Sequence, residues 1–466
     1  MKLIDEKSRV FPSAQPPFGM QHSGGIEGKP ELVYPDDGWT WPDLNKPLTT
    51  AVRIEGGKLN EDASRQNCAP EGGVLADIRI RADEEKLNGV YIENTKGLTL
   101  DGGKIEMSGI GEDDFAGIGA GVLVNKESDV VIENLDIHMS GAARSATEVT
   151  GGSTAVIRSC HFVVDGGPLP EDYKPVIGMG MLEPPAALGI GGTSRCHLSM
   201  DNSRTYFYDS TIYAAGWAAL STDAGNGYVY LEANNCDLTV AGKGYGAYSD
   251  GDCHVVLNDC RVNVATHGAI LAGECDLAFN NCTLVSGKYG AMIHDVMGID
   301  TEIGQLFVHG GSFSVGEEFG LLRSCNTYID MVGAKIHSDA GILFRAIVNP
   351  DECATKVGEK AVFGNNIVMT AMEATGSILN EDTDRAMKLT LAATTLRGAV
   401  RDAYLTMDTA SRWVATGDSS VVLVGDVRLG QINAPAGVTI TAEAGEDCPL
   451  ASGAYTLAAG GKLVVA

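Results

Sequence analysis

The stretch "GYGAYSDGDCHVVLNDCRVNVATHGAILAGECDLAFNNCTLVSGKYGAMIHD", Gly244–Asp295, decides the architecture. An aromatic or His residue followed by Gly-Ala recurs in it at Tyr245-Gly246, His267-Gly268 and Tyr289-Gly290, and Phe319-Gly320 and Gly341 continue the series. The intervals between these glycines are 22, 22, 30 and 21 residues. Each interval holds short runs rich in Val, Ile, Leu and Thr, broken by Gly, Asn, Asp or Ser, with no helical period, which is the pattern of strands joined by tight turns. A repeat of this size needs its neighbours to bury its apolar face, so successive coils stack and equivalent residues come to lie roughly 4.8 Å apart.

The finer repetition agrees. Asn234, Asn258 and Asn280 stand two residues before Cys236, Cys260 and Cys282, and Cys253 and Cys275 form a second matching pair. Stacking predicts an amide ladder at a turn, with the thiols packed inside as small hydrophobes. The eleven cysteines are odd in number and include no C-x-x-C. Reduced, buried thiols are therefore expected, with neither a disulfide framework nor a zinc site.

Earlier coils are readable in "GVYIENTKGLTLDGGKIEMSG" (Gly89–Gly109) and "GAGVLVNKESDVVIENLDIHMSG" (Gly119–Gly141), so winding is expected from about residue 89. Three regions follow: an extended arm or cap over 1–88, coils with a lateral groove over 89–350, and a C-terminal continuation over 351–466. The arm is suggested by Pro12, Pro16, Pro17, Pro30, Pro35, Pro42 and Pro47 beside Trp39 and Trp41, because proline forbids regular strand pairing. Such an arm would pack over the column or a neighbouring subunit, and a homo-oligomer such as a trimer is compatible with the fold.

The whole is expected to be all-β, a right-handed parallel β-helix. The pattern resembles the pectin-lyase-like superfamily of pectate lyases and polygalacturonases. It is most similar to uncharacterised bacterial and fungal β-helix proteins that carry runs like "PPAALGIGGTSR" (Pro184–Arg195), "GWAALSTDAG" (Gly216–Gly225) and "GYGAYSDG" (Gly244–Gly251). The resemblance implies the fold and an inclination toward carbohydrate chemistry. It implies no catalytic residue, since the Asp pairs near Gly-His-Gly of polygalacturonases and the Arg-x-Pro pattern of pectate lyases are both missing.

Lys and Arg number 34 against 61 Asp and Glu, a formal charge of −27, which repels phosphate backbones and argues against nucleic acid as a partner. Strongly anionic polysaccharides are disfavoured too. The N-terminal "MKLIDEKSRVFPSAQPPFGM" has no apolar core of signal-peptide length, and no stretch is apolar enough to span a membrane, so a cytoplasmic protein is expected. "GIGAG" at Gly117–Gly121 lacks the spacing of a nucleotide-binding loop.

Chemistry is sought in the lateral groove, beside the insertions at Asp165–Gly192 and Asp295–Gly304. Trp217, Tyr245, His267, Tyr289 and Phe319 are expected to stack at one corner, either as packing or as a wall for sugar-like rings. Just beyond come Ser221, Thr222 and Asp223, then Ser249 and Asp250, then His294 and Asp295, then Arg323 and Arg345. Asp223, His294 and Tyr245 are the candidates for proton transfer. Arg195 and Arg345 are candidate anion holders, with Trp217, His267, Tyr289 and Asp250 lining the groove. Lys243 and Lys288 lie just before the two corner tyrosines, where exposed turn lysines are the commoner case and a lowered phenol pKa is the alternative. Asp223 and Asp250, one coil apart, suit the spacing of a carboxylate pair.

The expected function is cofactor-free acid/base catalysis, with no metal ligand singled out, by a lyase, hydrolase or isomerase, on a sugar-like or cyclic hydroxylated small molecule or oligosaccharide. The alternative is a non-catalytic carbohydrate-binding or structural β-helix. "DTASRWVATGDSSV" resembles coils of secreted passenger proteins and suggests an adhesin.

Overall fold

The structure, a computed structural model, describes residues 47–175, 181–223, 227–295, 302–349 and 363–466. The arm up to residue 46 and the insertion segments 176–180 and 296–301 lie outside the described residues. The protein is an all-β parallel β-helix, and the described residues divide between two compact units that meet in sequence at Ala269/Ile270. Among the described residues no helix is long and apolar enough to cross a membrane.

In the first unit each coil contributes to parallel columns. One column runs through Thr49–Glu55, Leu87–Glu93, Val122–Asn125, Thr147–Val149, Arg195–Met200, Trp217–Asp223 and Gly244–Asp250. A second column includes Thr154–Arg158, Arg204–Tyr208, Val229–Asn234 and Cys253–Asn258. A third includes His161–Gly166, Thr211–Ala214, Asp237–Val240 and Arg261–Val264. Winding starts earlier than residue 89, since Thr49–Glu55 and Val74–Ala82 already pair in parallel with the next coil. In Val74–Ala82 the apolar Leu75, Ile78 and Ile80 are buried among exposed residues, and such alternation is enough to bury one strand face.

The Asn-x-Cys repeat has a backbone cause. The middle residues Asn235 and Asp259 adopt left-handed conformations, φ 51° and 52°, as do Asp209 and Ser159 one and two coils earlier. Asn and Asp tolerate that region better than most side chains. The flanking Asn258 donates its amide to Asn234 Oδ1 at 2.9 Å, and Asn234 donates to the Phe207 carbonyl at 3.3 Å. Cys236 and Cys260 point their thiols at the carbonyls of Asn234 and Asn258, and Ser210 makes the same bond to Tyr208 one coil earlier. All cysteines among the described residues are free thiols.

Arg144 fastens the first coils. Its buried guanidinium donates to the carbonyls of Glu84, Leu87, Ser108, Gly109 and Gly119.

The second unit repeats the scheme. Tyr289–His294, Glu318–Arg323 and Ile342–Ile347 pair in parallel, as do Asp276–Asn280, Ile303–His309, Asn326–Val332, Asn365–Thr370 and Met387–Ala392. The aromatic-Gly repeat has its explanation here. A Cβ on Gly290 would lie 2.5 Å from the Phe319 ring, and one on Gly320 would lie 2.4 Å from the Phe344 ring. The glycines make room for the ring one coil on. Near the C-terminus, Gly453–Thr456 runs antiparallel along Lys462–Val465 and covers an edge that would otherwise invite further pairing.

Candidate functional site

The site is assembled in the first unit around Arg195, the first residue of its strand. Register places Arg195 beside Ala218, and Ala218 beside Tyr245, so a small residue separates two large polar ones. Arg195 Nε donates to Asp114 Oδ2 at 2.6 Å, and both side chains are 3% exposed. The guanidinium is sandwiched between rings, with its carbon 4.7 Å from the Phe115 centroid and 4.9 Å from that of Trp217. Burial disfavours its charge, but Asp114, and more weakly Tyr245 and Asp223, outweigh burial and hold it protonated. Arg195 Nη2 and Asp114 Oδ1 remain buried without hydrogen-bond partners.

Trp217 is not in the aromatic register expected for it. It pairs with Gly244 while Ala218 pairs with Tyr245, and its ring is buried beneath the guanidinium. Its φ of 59° is rare for a bulky residue. The conformation is held by its N–H, which donates to the carbonyls of Gly191 at 2.6 Å and Lys243 at 3.1 Å. Gly192 closes the long insertion against this corner, and a Cβ there, at φ 120°, would come within 2.6 Å of Trp217 N.

Beside Asp114 lies Glu148, fully buried, with its carboxyl accepting from Ser145. Burial first, then the neighbouring charge of Asp114, push the Glu148 carboxyl well above the usual range, against the pull of Ser145 and Arg195.

The open side of the site is formed by Asp223, Tyr248 and Asp250, each partly exposed. Tyr245 and Tyr248 stack with centroids 5.1 Å apart, the Tyr245 hydroxyl lies 2.9 Å from Ser221 Oγ, and Tyr248 donates to Asp250 Oδ2 at 2.9 Å. Burial and then the Asp223 charge push the Asp250 carboxyl up to about 8, although Tyr248 and Arg195 pull the other way. Burial also pushes the Tyr245 phenol up to about 12, partly offset by Arg195 and Ser221. The alternative reading of Lys243, a lowered phenol, does not hold for Tyr245, which burial raises.

Arg195, Trp217, Asp223, Tyr245 and Asp250 are thus brought into one electrostatic network. His267 is buried in His267–Ala272. In the second unit, His294 is buried and in register with Arg323, whose Nη2 donates to Asn349 Oδ1 at 2.6 Å. Arg345 is held by Glu318 at 3.2 Å and Glu381 at 3.0 Å. The Lys288 ammonium sits 5.7 Å from the Tyr289 ring centre, yet burial and Glu317 raise that phenol's pKa. Phe319 is interior, edge-on to Phe313 and Phe344.

Sequence reading missed Asp114, Phe115, Glu148 and Tyr248. "GEDDFAG" (Gly111–Gly117) offered a cue, with three acids and an aromatic between glycines, and Glu148 stands alone in "SATEVTGG". Among the described residues no group of three or more His, Cys, Asp and Glu side chains is placed to hold a metal ion. Compared with protein-family models, curated proteins and solved structures, the chain finds no match.

Proposed function

We propose that the Asp223/Asp250 pair performs acid/base hydrolysis of a glycosidic bond in a neutral, polyhydroxylated ring compound. The observation that carries the reading is the pair itself. Asp250 keeps its proton up to about pH 8 through burial and the neighbouring Asp223 charge. Two carboxyls whose environments separate their protonation states are suited to act as acid and partner base.

Charge supports a neutral ligand. One guanidinium, already committed to Asp114, faces Asp223 and Asp250 as well, so an anionic substrate would meet a surplus of its own sign. That weighs against a lyase whose substrate must bring a carboxylate. The lateral position on a parallel coil, and the resemblance to β-helix enzymes of the pectate lyase and polygalacturonase type, support a carbohydrate ligand.

Nitrophenyl glycosides of neutral sugars provide the test. Turnover is expected to be steady at neutral pH and to fall as pH rises through about 8, where Asp250 loses its proton. Asp250→Asn should remove that alkaline limb and lower the rate by about 10²–10⁴-fold, and Asp223→Asn should be comparably impaired. Full activity in both folded variants would refute the assignment to this pair, and no turnover by the wild-type protein would favour a binding protein.

A further inference from the structure

We infer that hydrolysis at this site proceeds with retention of anomeric configuration, through a glycosyl ester on Asp223. This inference rests on the hydrolytic reading above and deepens it by assigning Asp223 as nucleophile.

The geometry comes from strand register. Trp217–Asp223 and Gly244–Asp250 are each 7 residues long. They pair from Trp217↔Gly244 through Ser221↔Tyr248, and continuing that register two residues sets their last residues, Asp223 and Asp250, opposite each other. Aligned residues on adjacent parallel strands are roughly 4.8 Å apart. Retaining glycosidases hold their carboxyls about 5–5.5 Å apart, whereas inverting ones need about 6.5–9.5 Å to seat a water. The strand spacing of aligned neighbours lies nearer the retaining range than the inverting one. On the preceding coil Asp223 faces Met200, which offers no competing carboxylate.

A second observation points to a ligand. Arg195 Nη2 is buried and without a hydrogen-bond partner, while Nε is fixed on Asp114. It can donate to a ring hydroxyl next to the reacting carbon, as the phenol of Tyr248 steadies Asp250.

The steps balance. The Asp223 carboxylate attacks the anomeric carbon as the glycosidic C–O bond breaks, and the departing oxygen takes the proton of Asp250. Water then attacks the same carbon, the ester C–O bond to Asp223 breaks, and the Asp250 carboxylate takes the water's proton. Two inversions restore the starting configuration, and both carboxyls return to their first protonation states.

The first test uses the wild-type protein, so that its outcome does not depend on a variant's folding. The neutral sugar turned over as its nitrophenyl glycoside is supplied as a dinitrophenyl glycoside with fluorine replacing the hydroxyl next to the anomeric carbon. The expected result is a burst of one dinitrophenolate per chain, a mass gain of one fluoroglycosyl group, and a label on the peptide containing Asp223. Proton NMR of the first product formed from the ordinary glycoside should show the substrate's anomer. With azide, Asp223→Gly should give a glycosyl azide of inverted configuration. An inverted hydrolysis product, or a label on another carboxylate, would overturn this inference while leaving hydrolysis standing. No turnover of any neutral glycoside would remove the hydrolytic reading, and this inference with it.

Discussion

The interiors of the two units solve the same packing problem with opposite chemistry. In the first unit a polar chain runs through the buried core: Thr147 Oγ1 lies 2.8 Å from His197 Nδ1, His197 Nε2 lies 2.8 Å from Ser199 Oγ, and Ser199 lies 2.7 Å from Thr205 Oγ1. In the second unit the core holds rings, with Phe279, Phe313, Phe319 and Phe344 meeting edge to face at 5.5–5.9 Å. Stacked coils tolerate either column, provided every buried polar atom in the first kind finds a partner. The polar column therefore stakes its stability on pairing and pH, and the aromatic one on volume.

The contrast is tested most severely at Arg144, in the first unit. Arg144→Met strips donors from five carbonyls, of which those of Leu87 and Gly119 are buried and cost about 1–3 kcal/mol each when left unpaired; a large loss of folded protein on expression is the expected outcome, and a melting temperature near wild type would contradict it. Phe344→Ala is next, costing about 3–5 kcal/mol in denaturant unfolding, with the same cost at acid and neutral pH.

The polar column behaves differently with pH. Burial holds the His197 imidazole down to about 3, well below the value of about 6.5 in an unfolded chain. Between those values the unfolded state binds the extra proton, so the contribution of neutral His197 is present above about pH 6.5 and is lost as pH falls toward 3. Unfolding curves of wild type and His197→Gln should converge on acidification. A gap that stays constant across that window would mean His197 is not buried neutral.

The smallest effect is expected for Thr147→Val. It leaves His197 Nδ1 without its partner at nearly unchanged volume and should cost about 1–3 kcal/mol. Equal stability would show that the hydroxyl chain is dispensable.

Much of the coil was legible in the sequence because its causes are local. The Asn-x-Cys spacing marks a left-handed turn residue between a ladder amide and an inward thiol, and Gly290 and Gly320 mark the room that Phe319 and Phe344 require. The candidate site was legible only in part. Asp223, Asp250, Tyr245 and Arg195 were visible as polar residues in strands that otherwise bury their side chains. Asp114 and Glu148 were not, since they lie 81 and 47 positions before Arg195 and no spacing rule links them. The aromatic corner was misread by one residue, since Trp217 pairs with Gly244 and Ala218 with Tyr245.

Repetition of turn chemistry along the chain was sufficient to determine that these residues wind into stacked parallel coils, because each turn needs its own residue type wherever it occurs. Only the tertiary structure decided which charges meet. Arg195 finds Asp114 and two ring faces, and Asp250 finds Asp223 and Tyr248, through stacking that brings distant segments within a few ångströms, where burial turns ordinary carboxyls into a proton-holding pair.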